Sequence, residues 1–82
     1  SESKASLQRA IQRGVPAFNQ GYPIICAEIY QTVLENMLLM KSSELSSLQI
    51  SLIERTLDEA ASLEPSKRAW AYRYVIDALL GP

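Results

Sequence analysis

Eighty-two residues suffice for one domain with a modest core. Apolar residues make up 48% of the chain, which excludes intrinsic disorder because there is enough apolar surface to offset the entropy of ordering. The net charge of −1 supplies no pull toward nucleic acid or an acidic membrane surface, a single cysteine excludes an internal disulfide framework, and no apolar run approaches the roughly 18 residues of a membrane span.

The first segment places Leu7, Ala10, Ile11, Gly14, Val15 and Phe18 at steps of three and four, with Gln8, Arg9, Gln12 and Arg13 on the other face. This predicts an amphipathic helix. Pro16 lacks an N–H and disfavours α geometry at Val15, so a kink or an early end is expected near Gly14. Asn19 to Pro23 reads as a tight turn: Gly21 can take positive φ, and Pro23 suits the first position of the next helix.

The second helix is expected to run to about Met40. Its stripe of Cys26, Ile29, Tyr30, Val33, Met37 and Met40 is widened by Ile25, Leu34 and Leu38. Only Glu28, Gln31, Thr32, Glu35 and Asn36 mark a wet side, which suits the central helix of a bundle or one that has a partner.

Lys41 to Ser47 is a polar break. Ser46 and Gln49 fit a capping box, with Leu45 and Ile50 as its hydrophobic staple; a cap at Ser43 would start the third helix a turn earlier. That helix points Leu48, Leu52, Ile53, Leu57, Ala60 and Ala61 inward. Pro65 opens a fourth, Ser66 to Leu80, with Tyr72, Val75, Ile76 and Leu79 as its stripe, Ala69 behind them and Gly81 as its stop. Alternating strand runs and Asn-Gly or Asp-Gly turns are missing. The expected architecture is all-α: four short antiparallel helices, as two stacked αα-hairpins or a compact four-helix bundle forming a single domain over residues 1–82.

Charge is unevenly spread. Both ends are basic, through Lys4, Arg9 and Arg13 and through Lys67, Arg68 and Arg73, while residues 24–64 are acidic. Folding back would let outer basic helices complement inner acidic ones. The chain begins with Ser and has no leader pattern. It therefore reads as a processed product, or as a fragment or module of a larger protein or complex, with a reducing intracellular compartment as the default.

The inventory of reactive groups is poor. Histidine is absent, which removes the commonest general acid/base and metal ligand. Asp58 and Glu59 are neighbours and diverge by about 100° on a helix, so they cannot share a proton or a metal. No glycine-rich phosphate cradle occurs. An enzyme is not expected, nor are catalytic residues, a metal or a cofactor. Cys26, on the apolar stripe, reads as a small hydrophobe, although a helix N-terminus beside it could lower its pKa. Trp70 and Tyr74 lie four apart, off the core stripe, between Lys67 and Asp77. This aromatic ridge either serves an interface or packs Trp70 on the first helix, over Arg9 or Arg13.

Residues 7–34 resemble a tetratricopeptide helix-turn-helix. Gly14, the Gln20-Gly21 turn, the small Cys26 and Tyr30, followed by Gln31, Leu34 and Glu35, stand where that repeat has its glycine, its turn, its packing residue and its aromatic. The likeness covers one repeat. Arg13, Ala10 and Leu38 replace the repeat's leucine, aromatic and closing proline, Pro16 is foreign to it, and residues 41–80 hold no second copy. The resemblance implies a scaffold that takes a peptide or partner helix in a groove lined by Gln8, Ile11, Val15, Phe18 and Asn19.

The expected function is accordingly a non-catalytic protein–protein interaction or scaffold module. One candidate surface surrounds Val15, Phe18 and Tyr22, and the other is the Trp70/Tyr74 ridge. A homodimer that hides the excess apolar surface of the second helix is close behind. The alternative is a bundle that binds a small molecule or lipid in an internal pocket lined by Cys26, Tyr30, Met37 and Met40. No nucleic-acid partner and no membrane span are expected.

Overall fold

The computed structural model describes residues 1–40 and 44–82. Four α-helices follow one another: α1 (Glu2–Asn19), α2 (Pro23–Leu39), α3 (Ser47–Ala60) and α4 (Pro65–Leu80), with no strand among the described residues. Helices α1 and α2 form one αα-hairpin, and α3 and α4 the other. The two stack through α2 and α4, while α3 lies mainly against α4.

The ends of the helices follow from local chemistry. Ser1 caps α1 through its hydroxyl, which accepts from the Lys4 N–H at 3.3 Å. At the other end Gly21 sits at φ +93°, the Tyr22 N–H donates to the Ala17 carbonyl at 2.9 Å and the Gly21 N–H to Phe18 at 3.0 Å. That is the paired closure of a Schellman motif, and the positive φ is why glycine stands there. Pro23 occupies the first turn of α2. The Ser46 hydroxyl accepts from the Gln49 N–H and the Gln49 side chain accepts from the Ser46 N–H, which completes the capping box on α3. Ser43, the alternative cap, lies outside the described residues. Glu64 caps α4 by accepting from the Ser66 and Lys67 amides.

The early end expected near Gly14 does not occur: Pro16 lies inside a helix that continues to Asn19. The amide that Pro16 lacks would have bonded the carbonyl of Gln12, an exposed residue whose carbonyl water can serve. Gly14 is buried for a different reason. A Cβ there would lie 2.5 Å from Tyr30 Cε1 and 2.8 Å from its Cζ, so the tyrosine ring fills the space that glycine leaves.

The core joins Leu7 and Ala10 of α1, Cys26, Ala27, Tyr30, Leu34 and Met37 of α2, Ile53 and Ala60 of α3, and Ala69, Tyr72, Val75, Ile76 and Leu79 of α4. Helix α2 contributes to the contact with every other helix, as its broad apolar face required. Some expected core positions are exposed. Leu48 lies five residues before Ile53, about 140° around the helix, and points into solvent at 83% exposure. Ala61 follows the end of α3 as its C-cap and is exposed. Ile25 and Met40, at the two ends of α2, project past their neighbours at 47% and 76% exposure.

Gln31, expected on the wet side of α2, faces α4 instead. The Tyr72 hydroxyl donates to Gln31 Oε1 at 3.3 Å, and Gln31 Nε2 donates to Glu35 at 3.2 Å. Tyr72 is 1% exposed, so this bond is what allows its hydroxyl into the core. Tyr72→Phe is expected to lower the unfolding free energy by about 0.5–1.5 kcal/mol, read from the urea midpoint at unchanged slope.

Candidate functional site

The two surfaces read separately from the sequence meet at the contact of Phe18 with Trp70. Phe18, at the end of α1, meets Trp70 of α4 edge-on, with ring centroids 6.1 Å apart and planes at 73°. Trp70 in turn stacks on Tyr74 at 5.8 Å with a 33° tilt. Phe18 and Trp70 rim a half-open cleft of about 280 Å³ between α1, α2 and α4. Val15, Phe18 and Asn19 form the α1 wall, Cys26 and Tyr30 come from α2, and Ala69, Trp70 and Arg73 come from α4.

The convergence follows from helical spacing. Val15, Phe18 and Asn19 share a face at three and four residue steps, as do Cys26 and Tyr30, and Ala69, Trp70 and Arg73. Trp70 is left 49% exposed and Tyr74 66%. Trp70 thus packs on the first helix through Phe18. Arg9 and Arg13, the expected cation–π partners, line a separate and shallower groove with Glu28 and Ile29.

The remaining expected positions lie outside the cleft. Ile11 is half-buried against the core one turn before Val15, and Gln8 is exposed further along α1. Tyr22 is exposed just beyond the turn, and Tyr74 backs Trp70 without lining the cavity. Met37 is buried in the core and Met40 is exposed, so neither joins Cys26 and Tyr30 in the pocket imagined for a small ligand. The sequence reading missed Ala69 and Arg73. Arg73 stands three residues after Trp70, and that spacing was the available signal.

The polar groups of the cleft are few. Arg73 Nε donates to Asp77 Oδ1 at 2.9 Å within α4, so its charge is balanced along its own helix instead of across to acidic α2 or α3. The Tyr30 hydroxyl neighbours both the Cys26 thiol and the Arg73 guanidinium. Burial raises the Cys26 thiol above its ordinary 9.0, against smaller opposing effects of Tyr30 and Arg73. The thiol therefore stays protonated and unreactive near neutrality, despite its place in the first turn of α2. Among the described residues no group of three or more cysteine or acidic side chains is placed to hold a metal ion. Likewise, no helix among them is long and apolar enough to cross a membrane.

Burial of Cys26 has a consequence for alkaline stability. Below pH 9 the folded and unfolded chains both keep the thiol proton. Above it the unfolded chain releases the proton while the folded one holds on, so stability falls as pH rises. Tyr30 and Tyr72, raised chiefly by burial above 10.0, extend the loss to higher pH. Urea midpoints are expected to be flat from pH 7 to 9 and to fall beyond, with Cys26→Ala removing the earliest part of the decline.

No family model, curated protein or solved structure matches the chain. Fold and site together define a small all-α domain with an aromatic-rimmed cleft between α1, α2 and α4.

Proposed function

We propose that the chain is a non-catalytic interaction module whose cleft between α1, α2 and α4 receives an apolar side chain from a peptide or partner helix. The observation that carries this reading is the convergence of Val15, Phe18 and Asn19 with Trp70, some fifty residues later in the chain, on one half-open cavity. An exposed Trp held by a ring on one side, beside an apolar recess, has the composition of an interface anchor. The tetratricopeptide resemblance supports the same role, since three of its implied groove positions, Val15, Phe18 and Asn19, are cleft walls.

Display selection of helical peptides against the chain tests the proposal. Binders are expected to share an apolar anchor, to shift Trp70 emission, and to lose at least tenfold in affinity on Val15→Asp but not on Leu39→Asp. Binders that ignore Val15 and map to the Leu39 end would overturn it. Self-association is the form this role takes if the partner is a second copy. Leu39, Met40 and Leu48, each more than three-quarters exposed, favour it, and light scattering over a concentration series reads it directly.

A small apolar ligand is the second reading. It is favoured by the enclosed base at Cys26 and Tyr30, but the cleft lies just under the roughly 300–1,000 Å³ of sites for drug-sized ligands. Tighter binding of a free hydrophobic compound than of any selected peptide would turn the choice that way.

A further inference from the structure

Among the described residues that line the cleft, Arg73 is the only one with a charged side chain; its neighbours there include Val15, Phe18, Tyr30 and Trp70. Its hold on Asp77 is a single bond through Nε, and Asp77 stands outside the cleft with its side chain 52% exposed. An arginine presents a fork of five N–H donors, and a carboxylate that takes Nε and one Nη side by side displaces Asp77 from Nε while Tyr30 stays beside the guanidinium. An exposed pair of this kind shifts an equilibrium only about twofold. A carboxylate brought bidentate onto a guanidinium in a partly desolvated recess shifts it about tenfold or more. The incoming carboxylate therefore wins the exchange.

The partner's backbone is constrained as well. The described residues offer no strand edge for an extended peptide to pair with, and the cleft is an apolar groove between three helices, the setting of the helix-in-groove mode. On a helix, side chains four apart lie about 5–6 Å from one another, close enough for both to reach a cavity of about 280 Å³.

We propose that the cleft recognises a partner helix bearing an acidic side chain one turn from an apolar anchor, and that Arg73 exchanges Asp77 for the incoming carboxylate. This rests on the reading of the cleft as a docking site and adds the chemistry of its partner. Arg73 becomes the specificity-determining residue, and Asp77 a built-in competitor that occupies it while the cleft is free.

The test uses the 82-residue chain and two pairs of probes. One pair is an alanine-based helix, N-acetylated and amidated, with Phe and a Glu four residues on, and the same peptide with Gln for Glu. The other is 3-phenylpropionate and its neutral amide. Binding is followed through the amide resonances of residues 15–19 and 69–73 and through Trp70 emission. The Glu peptide is expected to bind about tenfold tighter than the Gln peptide and tighter than 3-phenylpropionate. Arg73→Gln brings the Glu/Gln ratio to about one, whereas Asp77→Asn raises it about twofold by removing the competitor. Asp77 is exposed, so its variant keeps the fold even where Arg73→Gln does not.

Equal binding of the charged and neutral members at the cleft, with no response to Asp77→Asn, would overturn the carboxylate recognition and leave the apolar docking site standing. Phenylpropionate binding as tightly as the Glu peptide would overturn the helical partner in favour of a free acid. Failure of all four probes to move the cleft resonances at millimolar concentration would overturn both this inference and the docking site beneath it.

Discussion

Leu34→Ala is expected to bring the domain close to unfolding. Leu34 is completely buried at the crossing of α2 with its neighbours, and truncating such a leucine costs about 2–5 kcal/mol through lost transfer energy and the cavity left behind. A domain of this size has only about 3–5 kcal/mol in hand. Thermal unfolding followed by circular dichroism should show a melting point lower by roughly 10–30 °C, or no cooperative transition. The control lies five residues on in the same helix. Leu39→Ala, at a position 77% exposed, is expected to change stability by no more than about 0.5 kcal/mol. Equal losses at the two positions would mean that α2 does not pack as described.

Gly14→Ala is the second strong expectation, and its sign runs against helix propensity. In a free helix alanine is better than glycine by about 1 kcal/mol. Here the new methyl would meet the Tyr30 ring at 2.5 Å, and overpacking of a filled core costs about 1–3 kcal/mol. The net result should be destabilisation of up to about 2 kcal/mol, with Tyr30 forced out of place. Because Tyr30 forms part of the cleft base, the same substitution should distort the amide resonances of residues 15–19 and 69–73, far from a purely local change. Pairing it with Tyr30→Leu makes room for the methyl. The double variant is expected to be more stable than the sum of the single losses by at least about 0.5 kcal/mol. Simple additivity would mean that the glycine is there for its backbone freedom and not for the ring beside it.

Much of the architecture was legible before any coordinates. The Schellman turn at Gly21, Pro23 opening α2, the Ser46/Gln49 box and the α4 stripe of Tyr72, Val75, Ile76 and Leu79 all follow from side chains acting within a few residues. Pro16 misled because a proline's effect depends on whether its orphaned carbonyl can find water, which is a matter of exposure and not of local sequence. Leu48 and Met40 misled because apolar spacing identifies a face without saying how far along it a neighbour reaches.

The candidate site was half legible. Val15, Phe18, Asn19 and Trp70 were picked out by composition and spacing, but as two surfaces at opposite ends of the chain. Periodicity relates residues along one helix only; nothing in it records which helix will stand opposite. The sequence by itself determined four helices, their stops, and an apolar face on α2 too broad to be left uncovered. Only the tertiary packing decided that α4 would lie against both α1 and α2, that Trp70 would meet Phe18, and that Arg73 would become the charge inside the cleft. Those outcomes depend on how whole faces match in shape and area, a sum over many weak contacts that no single stretch of chain contains.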